Sequence, residues 1–121
     1  MKNGREKMKK NRNIPFGYTM QKGEIVEEPT ESQAVKDIFK LYLDGKSMSE
    51  LARQMSISQI SYNGITFDWN KNMVKRILEN EKYLGKDGYP VLIDSETFYR
   101  ANARKKSKAT SVNEISEELK I

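Results

Sequence analysis

The chain has 121 residues, 36% of them hydrophobic and 32% charged, and it contains neither Cys nor His. That length suits one modest domain with a small core under a heavily charged surface. Without thiols or imidazoles, disulfide scaffolds, zinc ribbons, Cys nucleophiles and imidazole bases are all excluded.

Charge is unevenly placed. Twenty-two Lys and Arg oppose seventeen Asp and Glu, a net charge of +5. Residues 1–13 carry Lys2, Arg5, Lys7, Lys9, Lys10 and Arg12 against Glu6 alone, so the whole excess lies before the folded part begins. Such a basic arm either binds a polyanion or simply keeps a tail solvated. No apolar run approaches the roughly 18 residues of a membrane span, and the polar start lacks a signal-peptide core, so a cytoplasmic protein without membrane association is expected.

Ile14-Pro15-Phe16-Gly17-Tyr18-Thr19-Met20, then Gln21-Lys22-Gly23, then Glu24-Ile25-Val26 places apolar runs on both sides of a glycine turn. This predicts a short hairpin with Pro15 at its edge. Thr30 to Gln33 has capping-box character, with a helix running to about Asp44 and stopping at Gly45. Val35, Ile38, Phe39 and Tyr42 form its apolar face. Ser47 and Glu50 form a second capping box, opening a short helix that turns Leu51, Ala52 and Met55 inward. Residues 56–68 are less regular and include Asn63-Gly64, a strong two-residue turn signal.

Asn70 is an N-cap for a third helix from Lys71 to Asn80. Its faces separate: Met73, Val74, Ile77 and Leu78 on one side, Lys71, Asn72, Lys75 and Arg76 on the other. The basic face is either a solvated surface or a groove contact in nucleic acid. Tyr83 to Ile93, with Asp87-Gly88 between two short runs, predicts a second hairpin that would carry Lys86 and Tyr89 near its tip. A third helix followed by a two-stranded ribbon is the order of a winged-helix module, although the ribbon could equally be a surface loop. Asp94 or Ser95 caps a last helix starting at Glu96, with Phe98 and Ala101 inward and projection or fraying beyond Ala103. Arg100, Arg104, Lys105, Lys106 and Lys108 follow with no acid among residues 97–108. Ser111 to Glu114 is a further capping pattern, for a two-turn helix with Val112, Ile115 and Leu119 on one face.

Chemistry within these residues is sparse. Glu24, Glu27, Glu28 and Glu31 cluster as a charged loop rather than a metal site, and no glycine falls in a phosphate-loop pattern. No catalytic residue, metal ligand or cofactor site is therefore assigned. Nucleic-acid binding fits better, because basic segments recur at the arm, the third helix with its ribbon, and the end of the fourth.

Particular blocks also resemble a known family. Arg5-Glu6-Lys7-Met8-Lys9-Lys10, Ile14-Pro15-Phe16-Gly17-Tyr18, Phe39-Lys40-Leu41-Tyr42-Leu43-Asp44-Gly45-Lys46-Ser47, Leu51-Ala52, Trp69 to Asn80, Tyr83-Leu84-Gly85 and Ile93-Asp94-Ser95-Glu96-Thr97-Phe98 occur in the order seen in the recombinase domain of large serine recombinases. Met55-Ser56 and Tyr62-Asn63-Gly64 depart from the family, which has a Leu-Asn pair and a glycine-rich approach to the tryptophan. The resemblance implies a DNA-binding module between a catalytic resolvase domain and a zinc-binding domain, in phage integrases or transposon recombinases. It also implies that the nucleophilic serine belongs to that other domain, so this chain alone is not expected to be an enzyme.

The reading at this level is a mainly α, winged-helix-like DNA-binding domain with short β-hairpins. It has a basic interdomain arm at 1–13, the domain itself at 14–108 and a tail or short helix at 109–121. Double-stranded DNA is the expected partner, met by Arg5, Lys9, Lys10, Arg12, Lys71, Asn72, Lys75, Arg76, Lys86, Arg104 and Lys105. The catalytic domain of the full-length recombinase is the expected second partner. The alternative is a protein-interaction or regulatory module docking through apolar patches such as Val112, Ile115 and Leu119.

Overall fold

A computed structural model of the protein describes residues 14–62 and 66–120, with side chains described as far as Lys108. An antiparallel hairpin comes first, β1 (Tyr18–Gln21) paired with β2 (Glu24–Glu27), with Tyr18 opposite Glu27 and Gln21 opposite Glu24. Lys22 and Gly23 close it with φ of +50° and +80°, the left-handed pair that a two-residue hairpin turn requires. Four helices follow: α1 (Pro29–Leu43), α2 (Met48–Ile57), α3 (Lys71–Glu79) and α4 (Ser95–Lys120).

The core assembles where the apolar faces of the helices meet. Val35, Ile38, Phe39 and Tyr42 of α1, Leu51 and Met55 of α2, Val74, Ile77 and Leu78 of α3, and Phe98 and Ala101 of α4 are all buried. Each large side chain removed from water contributes roughly 1.5–3 kcal/mol. These are the helical faces expected from their 3.6-residue spacing.

Long-range hydrogen bonds tie the hairpin into this core. Tyr83 donates its hydroxyl to the Phe16 carbonyl at 2.6 Å, and Tyr18 donates to that of Pro90 at 2.7 Å. Burial raises both phenol pKa values, so the rings remain protonated donors. The Glu31 carboxylate accepts from the Gly17 backbone at 2.9 Å, and Ser32 donates to Glu27 at 2.8 Å, fixing the hairpin over the start of α1. Gly17 itself has a φ of +109°, with Leu92, Val35 and Tyr83 side chains closed around it.

Three local expectations change. The cap of α1 is Glu28, whose carboxylate accepts from the Glu31 backbone at 2.8 Å, rather than Thr30. Pro29 takes the N1 position, where its missing N–H costs nothing, and this moves the helix start back by two residues. The ribbon expected over Tyr83–Ile93 is not formed: the described residues hold one two-stranded sheet, and this segment winds through 3-10 turns at Glu81–Leu84 and Lys86–Gly88. Pro90 lacks a ladder donor, and the backbone N–H groups of Leu92 and Ile93 both turn to the Tyr83 carbonyl, at 2.9 and 3.1 Å. Finally, α4 is one helix to Lys120, so no separate helix opens at Ser111. The side chains of Val112, Ile115 and Leu119 lie outside the described residues. The Ser47–Glu50 capping box, by contrast, forms with both of its bonds, at 3.0 and 2.8 Å.

Candidate nucleic-acid interface

α3 is a short helix with two separate characters. Asn70 caps it, accepting from the Met73 backbone at 3.1 Å. Its start is anchored through Trp69, whose backbone N–H donates to Ser56 at 2.9 Å and whose indole donates to the Ile60 carbonyl at 2.7 Å. Trp69 is buried, with its ring edge-on to Phe16 and Tyr62 at 5.2 and 5.0 Å, so it anchors the loop before α3 as a core residue. The loop containing Asn63-Gly64 lies outside the described residues, but its flanks meet where the Tyr62 backbone N–H donates to the Thr66 carbonyl at 3.1 Å. Although this connection is longer than a simple helix-turn-helix turn, α2 and α3 still pack directly on one another.

The outward face of α3 carries Lys71, Asn72, Lys75 and Arg76, all exposed. Lys71 and Lys75 form one i,i+4 ridge, Asn72 and Arg76 the next. Among the described residues none of the four side chains is held by an ion pair or hydrogen bond. The first turn of α3 contains no acid and begins with Lys71, opposite to what the helix dipole favours. Arg76, by contrast, lies in the last turn, where the dipole favours positive charge, so only the Lys71 end of the face opposes it. Arg76 also reaches a shallow groove lined by Pro15, Phe16, Tyr62 and Tyr83. The basic face therefore ends beside Pro15 and Phe16.

The other expected contact residues are placed differently. Arg5, Lys9, Lys10 and Arg12 lie outside the described residues. Lys86 pairs with Glu81 at 2.7 Å, and that hydrogen bond raises its pKa. Arg104 sends its guanidinium to the carbonyls of Tyr42, Lys46 and Gly45 at 2.8, 3.1 and 3.3 Å, and stacks 4.1 Å above the Tyr42 ring. Lys105 pairs with Glu79 at 2.9 Å. These last two cations are thus occupied at the C-terminal ends of α1 and α3, where the helix dipole favours positive charge. Asn102 was not singled out in the sequence, yet it donates to the Leu78 carbonyl of α3 at 2.8 Å and to the Phe98 carbonyl at 3.0 Å. An Asn inside an otherwise strong helix was the available signal.

The family model described as Recombinase matches residues 29–108. A crystal structure of an LSR–DNA complex is similar with a TM-score of 0.60 at 19% identity, over 88% of this chain and 39% of that one. A structure concerned with the sequence requirements of the Listeria innocua prophage attP site gives a TM-score of 0.54 at 18% identity, over 83% of this chain and 50% of that one. The chain thus spans half or less of the solved chains it matches, and at these identities the likeness is one of fold.

Proposed function

The chain belongs to the Recombinase family, and from that premise we propose that it is the DNA-binding domain of a large serine recombinase, recognising part of an attachment-site half-site. The observation that carries this reading is the outer face of α3, where Lys71, Asn72, Lys75 and Arg76 stand exposed and uncommitted while Arg104 and Lys105 are engaged within the fold. A helix of this width fits the major groove of B-DNA. Arg76 has the fork to read guanine, Lys75 can donate to a guanine edge and Asn72 has the amide to read adenine, while Lys71 neutralises a flanking phosphate. The basic arm tracks phosphates or the adjacent minor groove.

Cleavage and rejoining of DNA belong, on this reading, to a separate resolvase-type catalytic domain. The present residues supply address rather than chemistry. Fluorescence anisotropy with attachment-site duplexes tests the assignment. Lys75→Ala or Arg76→Ala should cost about 1–3 kcal/mol where the residue reads a base. Deleting residues 1–13 should weaken binding to every sequence and flatten the salt dependence, because each lost phosphate contact removes about 0.9 from the slope. Unchanged affinity in both α3 variants would remove the groove assignment.

A further inference from the structure

α4 meets the C-terminal ends of two other helices at once. Arg104 holds the end of α1 at the Tyr42 carbonyl and the turn after it at those of Gly45 and Lys46, while Asn102 and Lys105 hold the last two residues of α3, Leu78 and Glu79. The final carbonyls of a helix have no donors of their own, so the Asn102 amide fills a vacancy that α3 cannot fill itself. Lys105 is tucked in to 24% side-chain exposure, unusual for a lysine, with Glu79 at 41%. An ion pair this open adds little stability. What it does add is direction: Trp69 fixes the start of α3 to α2 through Ser56, and Asn102 with Lys105 fix its end to α4.

We propose that Asn102 and Lys105 are positioning residues, which set the angle of α3 and thereby its discrimination between DNA sequences without touching DNA. The inference rests on the reading of α3 as the contacting helix. Base readout needs side chains placed to within roughly 0.5 Å, so releasing one end of a nine-residue helix degrades recognition more than it degrades attraction to phosphate.

The test uses the full chain and two probes: a duplex enriched by this protein from a randomised library, and a shuffled duplex of the same composition. Asn102→Ala and Lys105→Gln should each lower the ratio of the two affinities about five- to tenfold, with the salt slope unchanged because no phosphate contact is lost. Glu79→Gln should lower the ratio equally, and the reversed pair Glu79→Lys with Lys105→Glu should restore it. Thermal melts confirm that each variant is folded at the assay temperature, and Lys105→Gln keeps the packed stem should Asn102→Ala not fold. If Lys105 instead contacts phosphate, Lys105→Gln lowers the slope by about one and Glu79→Gln strengthens binding to both duplexes. That result, or an unchanged ratio in folded variants, overturns the proposal. Lys75→Ala and Arg76→Ala run in parallel separate the two levels. If they weaken binding while the ratio survives loss of Asn102 and Lys105, only the positioning role is wrong. If they change nothing, α3 is not the contacting helix and both readings fall.

Discussion

Arg104→Ala should be among the most destabilising substitutions of a charged residue in the described part of the protein. The guanidinium closes the end of α1 and the turn into α2 through carbonyl contacts at 2.8, 3.1 and 3.3 Å, and it lies 4.1 Å from the Tyr42 ring centre. A hydrogen bond from a charged donor contributes about 1.5–3 kcal/mol when dry. Arg104 is half-exposed, so water recovers part of that loss at the two longer contacts. The Tyr42 carbonyl also keeps the Gly45 backbone N–H as a second donor. Adding the ring contact and the favourable position at a helix C-terminus, the expected total is about 2–3 kcal/mol. For a domain of this size that lowers the melting temperature by roughly 8–12 °C. Arg104→Lys keeps the charge but not the fork and should recover less than half of the loss. Urea denaturation of the three proteins measures the free energies, and thermal melts the temperature shift. A change below about 0.5 kcal/mol for the alanine variant, or full recovery by lysine, would refute the clamp. The salt slope of DNA binding should not move in either variant, since the guanidinium is occupied within the fold.

Other substitutions test separate parts of the account. Lys22→Asn places a residue tolerant of left-handed backbone at φ +50° and should stabilise the hairpin by about 0.5–1 kcal/mol in the same denaturation assay. Gly17→Ala should destabilise by about 2 kcal/mol or more, because φ is +109° and the added methyl would lie 3.1 Å from Leu92 and 3.2 Å from Val35. Normal stability in that variant would show that the hairpin is not pressed against α1. Asp94 accepts from the Thr97 backbone at 2.7 Å, which holds its pKa below the usual carboxylate range. Its contribution is therefore present above the unfolded-state pKa and lost as pH falls through the lower folded-state value. Asp94→Asn retains the capping oxygen without titrating, so its melting temperature should fall less than wild type's between pH 7 and about pH 3. Parallel curves would contradict the cap.

The helices were legible because their information is local. Asn70 and the Ser47–Glu50 pair sit at helix starts, and Val74, Ile77 and Leu78 repeat at helical spacing, so neighbours in sequence were enough to place them. The segment after α3 was misread for an instructive reason. Asp87 and Gly88 do adopt φ of +58° and +82°, as an Asp-Gly turn should. Strand pairing around them, however, competes with distant partners: the hydroxyl of Tyr18 takes the Pro90 carbonyl, and Tyr83 is held by Phe16. No local pattern reports those bonds. The same applies to the basic residues of α4. Arg104, Lys105 and Lys106 form one positive run in the sequence, but folding brings Tyr42 and Glu79 to the first two and thereby changes their role. The outer face of α3 remains a candidate because it meets no such partner among the described residues.

An amide NMR titration of the full chain with an attachment-site duplex tests the central claim most directly. The account predicts the largest shifts and broadening at Lys71, Asn72, Lys75 and Arg76, with little change at Gly45, Lys46 and Arg104, whose contacts are internal. Perturbations centred instead on Lys36, Lys40 and Arg100, which line a separate groove beside the start of α4, would place the DNA on another face and contradict the account.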